Sequence, residues 1–193
     1  MGRAMSDHGL VGRGDDLALL ASALGAARAG TSQFVAIHGE PGIGKSSLLG
    51  ALRELAESHE CLVLSGRATE IERELPYGLL VDALDAYLEA LDPKVLGRLA
   101  PDELDELASV FPALRSLGSR DARPTTVAER FRAHYAVREL LERLAARHPV
   151  VLALDDLHWS DGASLELVGH LLRRRPDAAV LVAATYRTGQ AGA

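Results

Sequence analysis

Short apolar runs alternate along this chain with longer segments in which leucine recurs every three or four residues. Runs too short for a helix and bounded by glycine or charged residues predict buried strands. Four such runs occur, at residues 33–39, 61–66, 150–156 and 178–187. No hairpin turn joins one run to the next, so the alternation predicts a mainly parallel sheet covered by helices on both faces.

The segment before the first strand predicts an amphipathic helix. Leu17, Leu20 and Leu24 recur at helical spacing behind two aspartates, and Gly30 follows the predicted end. Acidic residues in a first turn and a glycine after the last turn are typical of helix boundaries.

A long helical insertion, residues 67–148, separates the second predicted strand from the third. It contains helical patterns at residues 77–91, 101–111 and 125–148 and no strand-like run. The last of these helices has a capping-box pattern, Thr126 with Glu129, at its start. The apolar side chains expected on one face of that helix are Phe131, Tyr135, Leu141 and Leu144.

Composition is that of a folded globular protein, with 48% hydrophobic and 25% charged residues. The net charge of -6 argues against a surface devoted to nucleic acid, because such binding depends on Lys and Arg neutralising phosphates. Cys61 is the single cysteine and lies in an apolar run, which predicts a buried structural thiol. With no signal peptide and no run near the roughly 20 apolar residues that span a bilayer, we expect a cytoplasmic protein.

The glycine-rich stretch GEPGIGKS, residues 39–46, fits the pattern G-x-x-x-x-G-K-[ST] between a predicted strand and a predicted helix. Converging backbone N–H groups at a helix N-terminus bind phosphates, and glycine lets the backbone approach them closely. Lys45 is expected to reach the β- and γ-phosphates of a nucleotide, and the Ser46 hydroxyl to coordinate Mg²⁺. The predicted nucleotide-binding residues of this loop are Gly39, Glu40, Pro41, Gly42, Ile43, Gly44, Lys45, Ser46 and Ser47.

Two adjacent carboxylates, Asp155 and Asp156, follow the third predicted strand. A magnesium-dependent phosphate site needs a carboxylate at the end of a neighbouring strand. We assign Asp155 to Mg²⁺, together with Ser46, and Asp156 to polarising the attacking water as general base. The ring pair that follows, His158 and Trp159, could line the cleft, but packing between strand and helix is the favoured interpretation.

The fourth predicted strand ends with Thr185 and Arg187. A cation at this position could sense the γ-phosphate or stabilise charge that develops during phosphoryl transfer. An ordinary surface arginine is the alternative.

Four pieces of the chain together resemble the ATPase domain of AAA-like and STAND proteins, in the form found in large ATP-binding regulators of the LuxR type. They are LVGRGDDLALL, GEPGIGKSSLL, LALDDLHWSD and VLVAATYR, in family order from residue 10 to 187. The resemblance implies a P-loop NTPase fold, ATP or ADP with Mg²⁺ as ligands, and a single domain over residues 1–193. Its expected parts are an adenine-side segment and helix (1–30), a P-loop core (31–66), the helical insertion (67–148) and the strands carrying the acids and Arg187 (149–188).

By the same resemblance, Val11, Gly12 and Arg13 are expected to contact the adenine side of the nucleotide. Arg187 is similar to the sensor arginine that follows the fourth strand. Arg67, after the second strand, also matches the family, without an assigned role.

Complete members of this family continue into helical and winged-helix elements, a repeat region and often a C-terminal helix-turn-helix. The chain is therefore expected to be an N-terminal fragment, an isolated module or a truncated gene product, with the family's fifth strand missing or supplied differently. DNA contact would come only through that missing helix-turn-helix, and other partners would be downstream regulatory domains. An unpaired edge strand would favour self-association.

These features predict an ATP-binding, weakly hydrolysing switch module in a transcriptional regulator. One alternative is a small-molecule P-loop kinase with a lid of arginines. Its candidate lid residues are Arg115, Arg120, Arg123, Arg130 and Arg132. The other alternative is a non-catalytic scaffold that keeps its nucleotide bound.

Overall fold

The computed structural model describes residues 12–92, 99–118 and 126–187. The four predicted strands are present as β1 (Gln33–His38), β2 (Leu62–Arg67), β3 (Val150–Asp155) and β4 (Val180–Tyr186). The described helices are α1 (Gly14–Arg28), α2 (Lys45–Ser58), α3 (Gly78–Glu89), α4 (Pro101–Val110), α5 (Val127–Ala145) and α6 (Gly162–Arg173). None of these helices combines the length and apolar character needed to cross a membrane.

All strands pair in parallel in the order β1-β4-β3-β2. Their carboxyl ends therefore meet at one edge of the sheet, where α/β proteins commonly bind ligands. Within the described residues, β1 pairs on one side only, with β4.

Two apolar clusters cover the two faces of the sheet, as the period of two along each strand requires. Val151 and Ala153 of β3 pack with leucines of α1 and α2 on one face. Leu152 and Leu154 face the opposite cluster, which contains buried residues of α3, α5 and α6. The predicted three-layer α/β fold is thus confirmed.

The insertion between β2 and β3 contributes α3, α4 and α5, as the periodicity predicts. β2 lies very close to α3 at Gly66, where a Cβ atom would stand 2.5 Å from the Leu79 carbonyl oxygen. Only glycine permits this approach without a shift of the backbone.

The capping box of α5 is confirmed, because the Thr126 hydroxyl accepts from the Glu129 N–H and the Glu129 carboxylate from the Thr126 N–H. The predicted apolar face is confirmed for Leu141 and Leu144 and was wrong for Phe131 and Tyr135. Phe131 and Tyr135 are 48% and 42% exposed, whereas Leu141 is fully buried. The buried side of α5 instead contains small residues such as Ala133 and Ala136, which let α5 pack closely against the core.

Cys61 is buried and forms no disulfide, as expected. Burial raises the pKa of its thiol, although the nearby Arg28 charge opposes this effect. A raised pKa reduces the thiolate fraction, so this cysteine is poorly suited to nucleophilic chemistry.

Candidate functional site

The glycine-rich loop joins β1 to α2 at the carboxyl edge of the sheet. Gly42 and Gly44 adopt left-handed backbone conformations, with φ angles of +79° and +91°. No side chain caps the N-terminus of α2, which begins at Lys45. The first N–H groups of α2 therefore remain without a side-chain acceptor beside a loop shaped by glycine, an arrangement suited to an anion.

Lys45 is only 7% exposed. Its Nζ donates to the carbonyl oxygens of Gly39 and Glu40, each at 2.9 Å. These two carbonyls hold the ammonium group inside the loop. A phosphate there would offer the same donor a shorter, charge-assisted bond.

Ser46 and Asp155 lie in contact although 109 positions separate them in sequence. The Ser46 hydroxyl donates to Asp155 Oδ1 at 3.1 Å, and the Thr185 hydroxyl donates to the same oxygen at 2.5 Å. A hydroxyl beside a carboxylate provides the hard oxygen ligands that Mg²⁺ prefers. The predicted metal-binding pair is thus brought together by the fold and fits that ion chemically.

Asp156 has a left-handed backbone conformation, with φ of +57°. Its N–H donates to Thr185 Oγ1 at 2.8 Å, which fixes the turn after β3. Its carboxylate is ion-paired, because Arg67 Nη2 and Nε lie 3.0 and 3.2 Å from Asp156 Oδ2. The candidate general base is therefore held by a cation at the end of β2.

A comparison with known protein families decides the family. Residues 9–183 match the family described as AAA ATPase domain. The chain belongs to this family. It is therefore an AAA-like P-loop domain, and such a domain binds nucleotide.

The ATPase domain is also similar to an uncharacterized protein of Rhizobium meliloti (strain 1021). The two are 28% identical over 195 residues, which cover 94% of this chain and 19% of the relative. The ATPase domain thus spans about a fifth of the length of this relative.

His158 of the ATPase domain lies beside Asp156, in a short 3₁₀ turn at Leu157–Trp159. Its side chain is 5% exposed, and its Nδ1 is 4.0 Å from Asp156 Oδ1. Neither ring nitrogen has a hydrogen-bond partner in the described structure. Burial, and then the charge of Arg187, lowers the pKa of His158. Trp159 packs against the apolar core, and the two rings lie together with their centroids 5.2 Å apart.

Arg187 places its guanidinium over the Trp159 ring, 5.9 Å from the ring centroid. Its charge is one of the causes that lower the pKa of His158. The fold thus brings the predicted sensor arginine to the carboxyl edge of the sheet without placing it in contact with Asp156.

The predicted adenine-side segment lies next to the glycine-rich loop. Arg13 Nη2 donates to the Ile43 carbonyl oxygen, and Arg13 Nη1 donates to Asp16 Oδ2 at 2.8 Å. Gly12 precedes this arginine with φ of +80°, and Val11 lies outside the described residues. The loop side chains of Glu40, Pro41, Ile43 and Ser47 are exposed.

Two residues of the site had no role assigned from the sequence. Thr185 is fully buried and its hydroxyl bridges Asp155 and the Asp156 N–H. Arg67 binds Asp156 through its side chain, and its own N–H donates to Asp82 Oδ2 at 2.8 Å. In the sequence, only their position could have indicated a role. Both residues lie at the carboxyl end of a strand, the edge of the sheet where the glycine-rich loop also lies.

Three of the arginines that suggested a kinase lid lie within the described residues, and Arg115 among them is exposed. Arg130 pairs with Glu166 at 3.1 Å, and Arg132 pairs with Glu106 at 2.8 Å. Arg120 and Arg123 lie outside the described residues. Among residues 12–92, 99–118 and 126–187, no contact favours the kinase alternative.

Proposed function

We propose that this chain is an ATP-binding and slowly hydrolysing switch module within a larger LuxR-type transcriptional regulator. The observation that carries the nucleotide-binding part of the proposal is the convergence of Lys45, Ser46 and Asp155 at the N-terminus of α2. ATP and ADP would favour different arrangements of downstream domains, because a ligand shifts an equilibrium only through differential affinity.

The roles assigned from the sequence are compatible with this geometry. Lys45 would exchange its loop carbonyls for phosphate oxygens, while Ser46 and Asp155 would hold Mg²⁺. Bound Mg²⁺ would neutralise phosphate charge. Gly12 and Arg13, with Val11, would border the adenine, and the Ser47 hydroxyl would face a phosphate.

Asp156 would accept the proton of the attacking water once Arg67 releases its carboxylate. A carboxylate bound by a guanidinium is a weaker hydrogen-bond acceptor for water, so the Arg67 pair supports slow turnover at rest. Arg187 would then approach the transferred phosphoryl group, where a cation stabilises developing charge.

The test is calorimetric titration of ATP and ADP, with Mg²⁺, into the wild-type chain and into Lys45→Ala and Asp155→Asn. We expect binding to be lost in Lys45→Ala. In Asp155→Asn the amide oxygen can still accept from Thr185, so the fold should persist while the dependence on Mg²⁺ weakens. Arg28→Ala, a change of charge on α1, is the matched control and should bind normally.

Absence of binding by the folded wild-type chain would contradict the proposal. ADP retained through purification, with no phosphate release even in the full-length protein, would instead support the scaffold alternative.

A further inference from the structure

A surface groove lies between α4 and α5 in the helical insertion, with a cavity of about 420 Å³. Its lining residues are Asp102, Glu103, Glu106, Phe131, Arg132, Tyr135, Ala136 and Glu139. None of them belongs to the loop, to the acid pair or to the strand ends of the nucleotide site. The groove is therefore a separate feature of the domain.

An apolar stripe on α5 lines this groove at Phe131 and Tyr135 and continues beyond it to Val127. Val127, Phe131 and Tyr135 recur every four residues and are 75%, 48% and 42% exposed. The eight helical steps from Val127 to Tyr135 extend about 12 Å, so the stripe matches about two turns of an opposing helix. Large apolar side chains exposed side by side are typical of interaction surfaces.

Neighbouring side chains orient both aromatic rings of the stripe. Arg138 lies over the Tyr135 ring, 4.6 Å from its centroid. Phe131 meets the His170 ring edge-to-face at 5.6 Å and has Arg174 at 5.7 Å. Because these neighbours already orient the two rings, ordering them when a partner binds would cost less side-chain entropy.

The rim of the groove is acidic, since four carboxylates and one guanidinium line it. Glu106 pairs with Arg132 and Glu103 with Arg143, and these two ion pairs join α4 to α5. Asp102, on α4, and Glu139, on α5, have no ion-pair partner among the described residues. Two uncompensated carboxylates thus flank the apolar stripe from both helices.

We propose that this groove binds an amphipathic helix of a partner protein, with aliphatic anchors on one face and lysine or arginine along its flanks. The aliphatic side chains would fill the cavity over Ala136 and contact Phe131 and Tyr135. The basic flanks would meet Asp102 and Glu139. A small organic cation would fill only the cavity and would leave Val127 uncovered. The length of the stripe therefore favours a helix over a small molecule as the ligand.

A random 16-residue peptide library, displayed on phage and selected against the chain, tests this proposal. We expect enrichment of peptides with aliphatic residues at i, i+3, i+4 and i+7 and with basic flanks. Dissociation constants of the enriched peptides would then be measured by fluorescence anisotropy. Phe131→Ser combined with Tyr135→Ser should weaken binding at least about tenfold, as loss of central aromatic anchors commonly does.

A second variant tests the acidic rim of the groove and leaves the aromatic rings unchanged. The double substitution Asp102→Lys with Glu139→Lys should weaken the binding of peptides with basic flanks. It should not weaken the binding of matched peptides with acidic flanks. Leu19→Ser is the control, because Leu19 is 70% exposed on α1, which packs on the opposite face of the sheet.

Three results would overturn the proposal. They are no enriched peptide, enrichment of peptides without basic flanks, and binding that survives both groove variants. Binding of small aromatic amines that the groove variants abolish, in the absence of peptide binding, would assign the cavity to a small molecule instead.

Discussion

Asp156 is held by hydrogen bonds to two distant parts of the chain and has a histidine beside it. Arg67 binds its carboxylate, Thr185 accepts from its N–H, and His158 lies 4.0 Å from its other oxygen. The left-handed backbone at this position, uncommon for a residue with a Cβ, needs such support. The turn after β3 is therefore built around one carboxylate, which agrees with its proposed role as general base.

Arg67→Ala should increase the rate of ATP hydrolysis, because it removes the ion pair that occupies the Asp156 carboxylate. The Arg67 side chain is 66% exposed, and an exposed pair is worth about 0.2–1 kcal/mol, so we expect a rise of no more than about fivefold. Phosphate release and nucleotide affinity would be measured together. A large fall in rate at unchanged affinity would mean that Arg67 acts in the reaction itself.

Asp156→Asn should abolish most hydrolysis and leave ATP binding nearly unchanged. Loss of a general base typically costs 10²- to 10⁴-fold in rate. The comparison with Asp155→Asn separates the two acids, since that variant should change the dependence on Mg²⁺. Equal effects of both substitutions on Mg²⁺ affinity would contradict the division of roles.

At the scale of elements, α3 and α5 attach the insertion to the sheet by different means. α3 packs directly on β2 through the close contact at Gly66. α5 buries small and branched residues and leaves Phe131 and Tyr135 outside. The apolar pattern placed Leu141 and Leu144 correctly and Phe131 and Tyr135 wrongly, because a pattern of apolar positions does not show where close helix packing requires alanine.

Gly66→Ala should destabilise the domain by about 1–3 kcal/mol, the usual cost of forcing an extra methyl group into a packed site. The added Cβ would meet the Leu79 carbonyl oxygen at 2.5 Å and the Ala83 nitrogen at 2.9 Å. Urea unfolding would measure the change. Gly25→Ala is the control, because nothing lies within 4 Å of a Cβ at that position in α1, and it should be neutral or slightly stabilising. An unchanged unfolding midpoint in Gly66→Ala would show that β2 and α3 can separate at little cost.

At the scale of the whole molecule, a buried polar cluster joins the insertion to α6. Tyr77, whose N–H donates to Asp161, has its hydroxyl 3.3 Å from His134 Nε2, and the His134 ring lies 5.7 Å from that of His170. Burial lowers the pKa of His134 to about 4, and the His170, Arg130 and Arg173 charges add to the effect. Both histidines should therefore stay neutral in the folded protein at neutral pH.

Stability should fall as the pH decreases from about 6.5 towards 4. In that range the unfolded chain binds protons at His134 and His170 that the folded protein does not bind, so the free energy of unfolding decreases. A shift of one pKa unit corresponds to about 1.4 kcal/mol, which gives a loss of at most about 2 kcal/mol from His134 between pH 7.5 and pH 5. Denaturant unfolding at both pH values checks this. His134→Gln should reduce the dependence on pH, whereas an equal loss in wild type and variant would contradict the assignment.

Much of the fold follows from local patterns in the sequence. Apolar runs between helical segments predicted all four strands, and the Thr126 box predicted the start of α5. The glycine-rich loop and the acids after β3 predicted which residues meet, because parallel strands end at one edge. The ion-pair and hydrogen-bond partners of these residues lie far away in the sequence, so no local spacing predicts them.

The sequence by itself determined the layered fold and the chemical types gathered at the strand ends, since hydrophobic period and glycine conformation act over a few residues. Only the tertiary structure decided that Arg67 binds Asp156 and that the Thr185 hydroxyl bridges both acids. These contacts join residues 89 and 30 positions apart in the chain. Which residues meet in these contacts depends on the strand order and on the packing of α3 and α5. Both of these depend on contacts throughout the core.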